Sequence, residues 1–278
     1  MDIAQARDHI AALDAAAAHR LVPFLADRRM HWRIFGQGDP LMLIHGGHGS
    51  WLHWIRNIDA LAQHHTVLVP NLPGYGDSHD AAEDGAFQKT VDAVAASLDS
   101  LLGGRILVDV AGFSFGGAVA ARLAVKRGSV RRLALLGSAA SGTPRRERVP
   151  LIRWRKADAA SQEAALRHNL LAHMLHDPAS ADELAFAVYK DAVTRTRFRS
   201  RGIAGSMTLE KTLAPFTGPA LFIWGEHDVT ATPELARPGL VNGTPNRDCH
   251  LVPAGGHWIQ FERADVVNPL LTRWFATA

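Results

Sequence analysis

The chain has one cysteine, Cys249, in 278 residues, so no intrachain disulfide can form. Cys249 itself reads as a small buried hydrophobe. A core of this size needs neither disulfides nor metals to hold it. No stretch approaches the ~18 consecutive apolar residues of a membrane span, which argues against an integral membrane protein. No run of five or six Lys/Arg occurs, and the formal net charge is only +3, so the pI near 9.3 is weak support for nucleic-acid binding. Residues 1–20 carry Asp2, Asp8 and Asp14 and lack the basic start and apolar centre of a signal peptide. They read instead as an Ala-rich amphipathic helix, and a cytoplasmic location is the expectation. No internal repeat or low-complexity segment is present. With 47% hydrophobic and 21% charged residues, the composition is that of a folded globular chain.

Short continuous apolar runs alternate with helical patterns, the mark of a mostly parallel sheet covered on both faces. The strand candidates are Leu41–Ile44, Thr66–Val69, Arg105–Val110, Leu133–Leu136, Ala220–Trp224 and His250–Val252, with His31–Phe35 as an edge strand. Helical spacing covers Thr90–Leu102, Phe115–Lys126 and Ala264–Phe275. From about Arg145 to Leu213 there is no strand pattern, only short helical ones such as Gln162–Arg167. Some seventy residues without a sheet element are too many for a loop. The expected architecture is therefore an α/β core, residues 1–144 and 214–278, with a helical cap, 145–213, inserted in it.

The strongest chemical signal is Gly112-Phe113-Ser114-Phe115-Gly116, a G-x-S-x-G match with a strand before it and a small-residue helix after it. That context places a serine hydroxyl on a sharp turn at the N-terminus of a helix, where the dipole favours developing negative charge. Serine alone is a poor nucleophile and needs a base that an acid orients. His257, in Ala254-Gly255-Gly256-His257-Trp258 after the last strand, fits the base. Asp228, after the preceding strand, fits the acid. Glu226 competes from two residues away, but a short carboxylate on a loop beyond the strand end suits the orienting role better.

His45-Gly46-Gly47-His48-Gly49-Ser50-Trp51 also follows a strand. The Gly47 and Phe115 amides are expected to form an oxyanion hole. His45 reads as a brace for that loop. His48, Trp51, Phe113 and Trp258 are pocket candidates, although core packing explains the tryptophan at 51 equally well. The spacing of His45, His48 and His53 matches no metal motif, and the loop offers no carboxylate before Asp59. No metal and no cofactor are expected. His9, His19, His64, His65, His168, His173, His176 and His250 read as structural or solvent-facing. The turn Asn71–Ser78 is explained by its Pro and Gly and carries no assigned chemistry.

With these motifs in order, the chain resembles the α/β-hydrolase fold superfamily over nearly its whole length. The segment Gly256-His257-Trp258-Ile259-Gln260-Phe261-Glu262-Arg263-Ala264-Asp265-Val266-Val267-Asn268 is similar to the G-H-W-x-Q-x-E-x-A-D…N stretch of the meta-cleavage-product hydrolases. That resemblance implies cleavage of a C–C bond in a ring-cleavage dienoate, with a cap arginine on the substrate carboxylate. Arg195, Arg197, Arg199 and Arg201 are available near the end of the cap. Two departures sit at the chemistry. Phe113 stands where that family places Asn, and the loop after His45 lacks its usual H-G-G-G-P-G.

The expected activity is thus a serine-dependent hydrolase acting on a small ester, thioester or lactone, with C–C cleavage as the alternative. A non-enzymatic ligand-binding protein on the same fold is disfavoured by the intact Ser-His-Asp set. A lyase or cofactor-free haloperoxidase using that set is a minor option. Residues 145–201 hold twelve Lys+Arg against seven Asp+Glu, so the basic character belongs to the cap. That points to an anionic small substrate rather than nucleic acid or membrane. The oligomeric state is left open, a homodimer included.

Overall fold

The computed structural model describes residues 1–80, 87–198 and 208–276. Eight strands build one sheet: β1 Ala18–Leu25, β2 Arg28–Phe35, β3 Asp39–Ile44, β4 His65–Pro70, β5 Val108–Phe113, β6 Val130–Leu136, β7 Ala220–Gly225 and β8 Arg247–Val252. Their order is β1-β2-β4-β3-β5-β6-β7-β8. β2 runs antiparallel to both β1 and β4, and every other pair is parallel. The helices are α1 Ile3–Ala16, α2 Ile58–Ala62, α3 Phe87–Leu102, α4 Phe115–Arg127, α5 Ala159–His173, α6 Glu183–Arg195, α7 Leu209–Thr212, α8 Pro233–Val241, α9 Ile259–Glu262 and α10 Ala264–Ala276.

The continuous apolar runs have the cause expected of them. Along β3, Leu41 and Leu43 point into one core with α1, α2 and α10, while Met42 and Ile44 point into the other with α3, α4 and α8. A strand buried on both faces has no polar side to show. Between the end of β6 and the start of β7 the described residues form helices and coil but no strand. This inserted helical region lies over the C-terminal ends of the strands, where α/β sheets place their ligands.

Three boundaries differ from the pattern in the sequence. The first helix stops at Ala16, and residues 18–25 form β1 instead of a fifth helical turn. β1 is an edge strand with only Val22 and Phe24 turned inward, so its signal is weak. β5 begins at Val108 rather than Arg105, because Ile106 and Leu107 are exposed and the buried run continues through Ala111-Gly112-Phe113. β8 begins at Arg247, three residues before its apolar end. No helix among the described residues is long and apolar enough to cross a membrane.

Candidate active site

Ser114 caps α4 at φ +52°, a left-handed conformation that costs a β-carbon-bearing residue energy. The turn survives because its surroundings over-determine it. Ser114 donates its amide to Leu136 O on β6 at 2.9 Å, and its own carbonyl accepts from Gly117 and Ala139. A Cβ on Gly112 would lie 2.4 Å from Gly116 O, and one on Gly116 would lie 2.3 Å from His45 O. The two glycines are thus required by close backbone approach between strand, helix and the neighbouring loop.

His257 comes from the loop after β8 and Asp228 from the loop after β7. Ser114 Oγ lies 3.0 Å from His257 Nε2, and His257 Nδ1 lies 2.9 Å from Asp228 Oδ2. With Nδ1 donating to the carboxylate, Nε2 is free to accept the serine proton. Asp228 Oδ1 accepts both the amide and the hydroxyl of Thr230, each at 2.7 Å. Burial pushes the Asp228 carboxyl up, but His257 and the Thr230 donors outweigh it, so the group stays below its ordinary value. Glu226, the rival acid, is half exposed, lies 3.7 Å from His227 and accepts the Ala254 amide. It makes no hydrogen bond to His257.

Gly47 and Phe115, the two expected amide donors, line the same cavity as Ser114. A Cβ on Gly47 would sit 3.5 Å from Phe115 Cβ, and one on Gly46 would sit 3.2 Å from Ser114 Cβ. No hydrogen bond engages either amide among the described residues. The loop that carries Gly47 is braced by two imidazoles. His45 Nδ1 donates to Gly46 O at 2.8 Å, and Nε2 accepts the Leu72 amide at 2.9 Å. Burial, partly offset by the bond to Gly46, brings His45 down to about 4, so it holds this loop as a neutral ring. His53 Nδ1 accepts the Gly46 amide at 3.2 Å. Burial, with further contributions from His45, His257 and His48, holds His53 well below its usual value.

These groups lie at the floor of a cavity of about 1710 Å³. Of the four pocket candidates, Phe113 and His48 line it. The two tryptophans do not. Trp51 is packed under Arg33 and against Phe35, and fully buried Trp258 donates its indole N–H to His53 O at 2.9 Å. Both side chains are used up in packing behind the site.

Two of the four cap arginines are engaged away from the cavity. Arg195 pairs with Asp191, one turn away, and Arg197 binds Asp80 and the carbonyls of Gly76 and Ser78. Arg199 and Arg201 lie outside the described residues. The cations that do line the cavity come from the coil leading into α5: Arg145, Arg148, Arg153, Arg155 and Lys156, with no Asp or Glu among the lining residues described. That coil is strapped to α5. Asn169 binds both the amide and the carbonyl of Ile152, at 2.7 and 2.9 Å, and His168 donates to Pro150 O. His173, expected to be structural or solvent-facing, lines the cavity beside His257.

Sequence reasoning also passed over Glu262 and Thr230. Glu262 is buried and accepts three amides: Gly256 on Oε2, and His176 and Asp177 on Oε1. It lies in the quoted C-terminal stretch, but nothing in a single sequence distinguishes a carboxylate that gathers amides from one in solvent. Thr230 had a detectable signal, a hydroxyl two residues after a buried Asp on a tight loop.

A hydroxyl on a strained strand-to-helix turn, paired with an imidazole and a buried carboxylate, is the constellation of a serine hydrolase. The chain belongs to the alpha/beta hydrolase fold family, whose model matches residues 39–264. It is similar to a dihydrolipoyllysine-residue acetyltransferase component of an acetoin cleaving system from Pseudomonas putida, at 31% identity over 87% of this chain, and spans 65% of that relative's length. A 2-hydroxymuconate semialdehyde hydrolase from Pseudomonas sp. (strain CF600) is 29% identical over 87% of this chain and 89% of its own. Among solved structures, a carboxylesterase from Bacillus subtilis superposes with a TM-score of 0.75 at 19% identity, covering 99% of this chain and 97% of that one.

Proposed function

We propose that the protein hydrolyses a small, anionic carboxylic ester, thioester or lactone through Ser114, His257 and Asp228. The observation that carries this reading is the unbroken chain of contacts from Ser114 Oγ to His257 at 3.0 Å and from His257 to Asp228 at 2.9 Å. Ser114 attacks the carbonyl while His257 takes its proton, and Asp228 holds the imidazole in register. The Gly47 and Phe115 amides receive the oxyanion. His257 then protonates the departing oxygen, and water repeats the sequence to release the acid. Deacylation returns the enzyme with no cofactor consumed.

The preference for an anionic substrate rests on the five cations lining the cavity and on the lack of a carboxylate among its described lining residues. Within this reading the domain division follows: residues 1–144 and 214–278 supply the chemistry, and 145–213 supply the substrate contacts.

C–C cleavage of a ring-cleavage dienoate is the second reading, supported by the similarity to the semialdehyde hydrolase. Such a substrate must be ketonised before the bond breaks, which calls for polar groups beside the nucleophile. Phe113 weighs against it. Its buried ring lies 5.2 Å from that of His53 and 5.0 Å from that of His257, so the residue before the serine offers a dienol no hydrogen-bonding group. Assaying one short-chain p-nitrophenyl ester and one ring-cleavage dienoate side by side tests the choice. Turnover of the dienoate alone would sink the ester reading.

A further inference from the structure

α5 ends at His173, whose ring centroid lies 5.4 Å from that of His257 at an interplanar angle of 42°. Its Nδ1 is 2.8 Å from Arg148 Nη1. A guanidinium only donates, so His173 Nδ1 accepts and the proton of the neutral ring sits on Nε2. Burial brings this imidazole down to about 3, with His257, Arg148 and Arg145 reinforcing the shift and Asp228 opposing it. His173 is therefore neutral at neutral pH and a poor acceptor for the serine proton. Among the described residues its Nε2–H has no hydrogen-bond partner, although it borders the cavity.

The placement is rigid. The residues just after His173 are tied to the loop that carries the base. Trp258 donates its amide to Met174 O at 2.7 Å. Glu262 gathers the amides of His176, Asp177 and Gly256 at 2.8, 2.7 and 2.6 Å. A Cβ on Gly256 would lie 2.6 Å from His176 N, so the two segments have no slack between them. The spacing of His173 and His257 is set by this clamp, which is how a site fixes a donor that must act at a defined distance.

Ester cleavage develops charge twice: on the carbonyl oxygen, which the Gly47 and Phe115 amides face, and on the departing alkoxy oxygen. His257 delivers a proton to the second, and His173 borders the cavity beside His257. Resting on the ester reading above, we propose that His173 is a leaving-group donor, its Nε2–H hydrogen-bonding the alkoxy oxygen as the C–O bond breaks. The proton that ends on the alcohol is the one His257 took from Ser114, and His173 keeps its own. The enzyme is thereby suited to alkyl esters and lactones, whose poor leaving groups need this help, rather than to activated esters only.

The test compares kcat/KM, which reports acylation, on ethyl and p-nitrophenyl esters of the same acid for the full-length protein and its His173→Leu and His173→Gln variants. His173→Leu should lose about tenfold on the ethyl ester, about the worth of one hydrogen bond to a developing charge, and less than about twofold on the p-nitrophenyl ester. His173→Gln, which keeps an N–H donor, should recover part of the loss. Equal losses on both esters, or none on either, overturn the proposal. Independently of any variant's folding, ¹⁵N-histidine NMR of the wild type should show His173 as the Nε2–H tautomer with no titration from pH 5 to 9. The Nδ1–H tautomer, or a midpoint inside that range, overturns the proposal as well. A wild type that cuts the dienoate and no ester overturns the ester reading with it, whereas the variant pattern in an active esterase overturns this proposal alone.

Discussion

Glu262 Oε2 accepts the Gly256 amide at 2.6 Å, one residue before the imidazole that faces Ser114. The other oxygen accepts two amides from the inserted region. One carboxylate thus joins the insertion to the loop that positions the base. Glu262→Ala leaves three amides without their acceptor, at about 1 kcal/mol or more each. A fall in Tm of roughly 6–12 °C is expected by calorimetry, with kcat reduced as His257 loses its support. An unchanged Tm would mean that water replaces the carboxylate without cost.

Removing Ser114 or His257 should reduce kcat by about 10⁴- to 10⁶-fold while circular dichroism and Tm stay near wild type. Asp228→Asn should cost about 10⁴-fold, because the wrong tautomer of His257 then faces the serine. Glu226→Gln should leave kcat within about threefold. If the Glu226 variant proves the worse of the two, the acid has been misassigned.

The five cations of the cavity predict a charge-specific effect on binding. Arg153→Met should raise KM for an ester carrying a carboxylate by about fivefold and leave a neutral ester of the same length unchanged. Raising the salt concentration should mimic the substitution. Arg195→Met, at a residue already paired with Asp191, should change neither constant. Equal KM shifts on both esters in the Arg153 variant would remove the electrostatic argument.

Buried neutral imidazoles make stability fall in mild acid. His45 titrates at about 4 in the folded chain and near 6.5 when unfolded. Between those values the unfolded chain binds a proton that the native state does not, so stability drops as pH falls through about 6.5 and levels off below about 4. The contribution of His45 is on the order of a few kcal/mol. The urea midpoint should therefore be lower at pH 4.5 than at pH 7.5, and the difference should shrink in His45→Gln. Identical midpoints at the two pH values would show that His45 is protonated at no cost.

The α/β architecture was legible in the sequence because parallel strands buried on both faces leave unbroken apolar runs. The Ser114 turn was legible because two close backbone approaches demand glycine at 112 and 116. What stayed hidden depends on distance in the chain rather than on residue type. Trp51 and Trp258 were pocket candidates, and their neighbours in the sequence do line the cavity, yet each indole turns into the core. The basic character of the insertion was visible as a count. Which arginines turn inward was not, because that depends on Asn169 and His168 strapping the coil to α5. His173 had no marker at all. Its environment is made by Arg148, 25 residues earlier, and by a loop after β8.

The insertion also imposes an order of events. Ser114 leaves the ribosome well before the base that activates it, since the two are separated by 143 positions. The nucleophile's turn is held by β5, β6 and α4, whereas its acid and base follow β7 and β8. A chain ending inside the insertion therefore carries the nucleophile without its base or its acid.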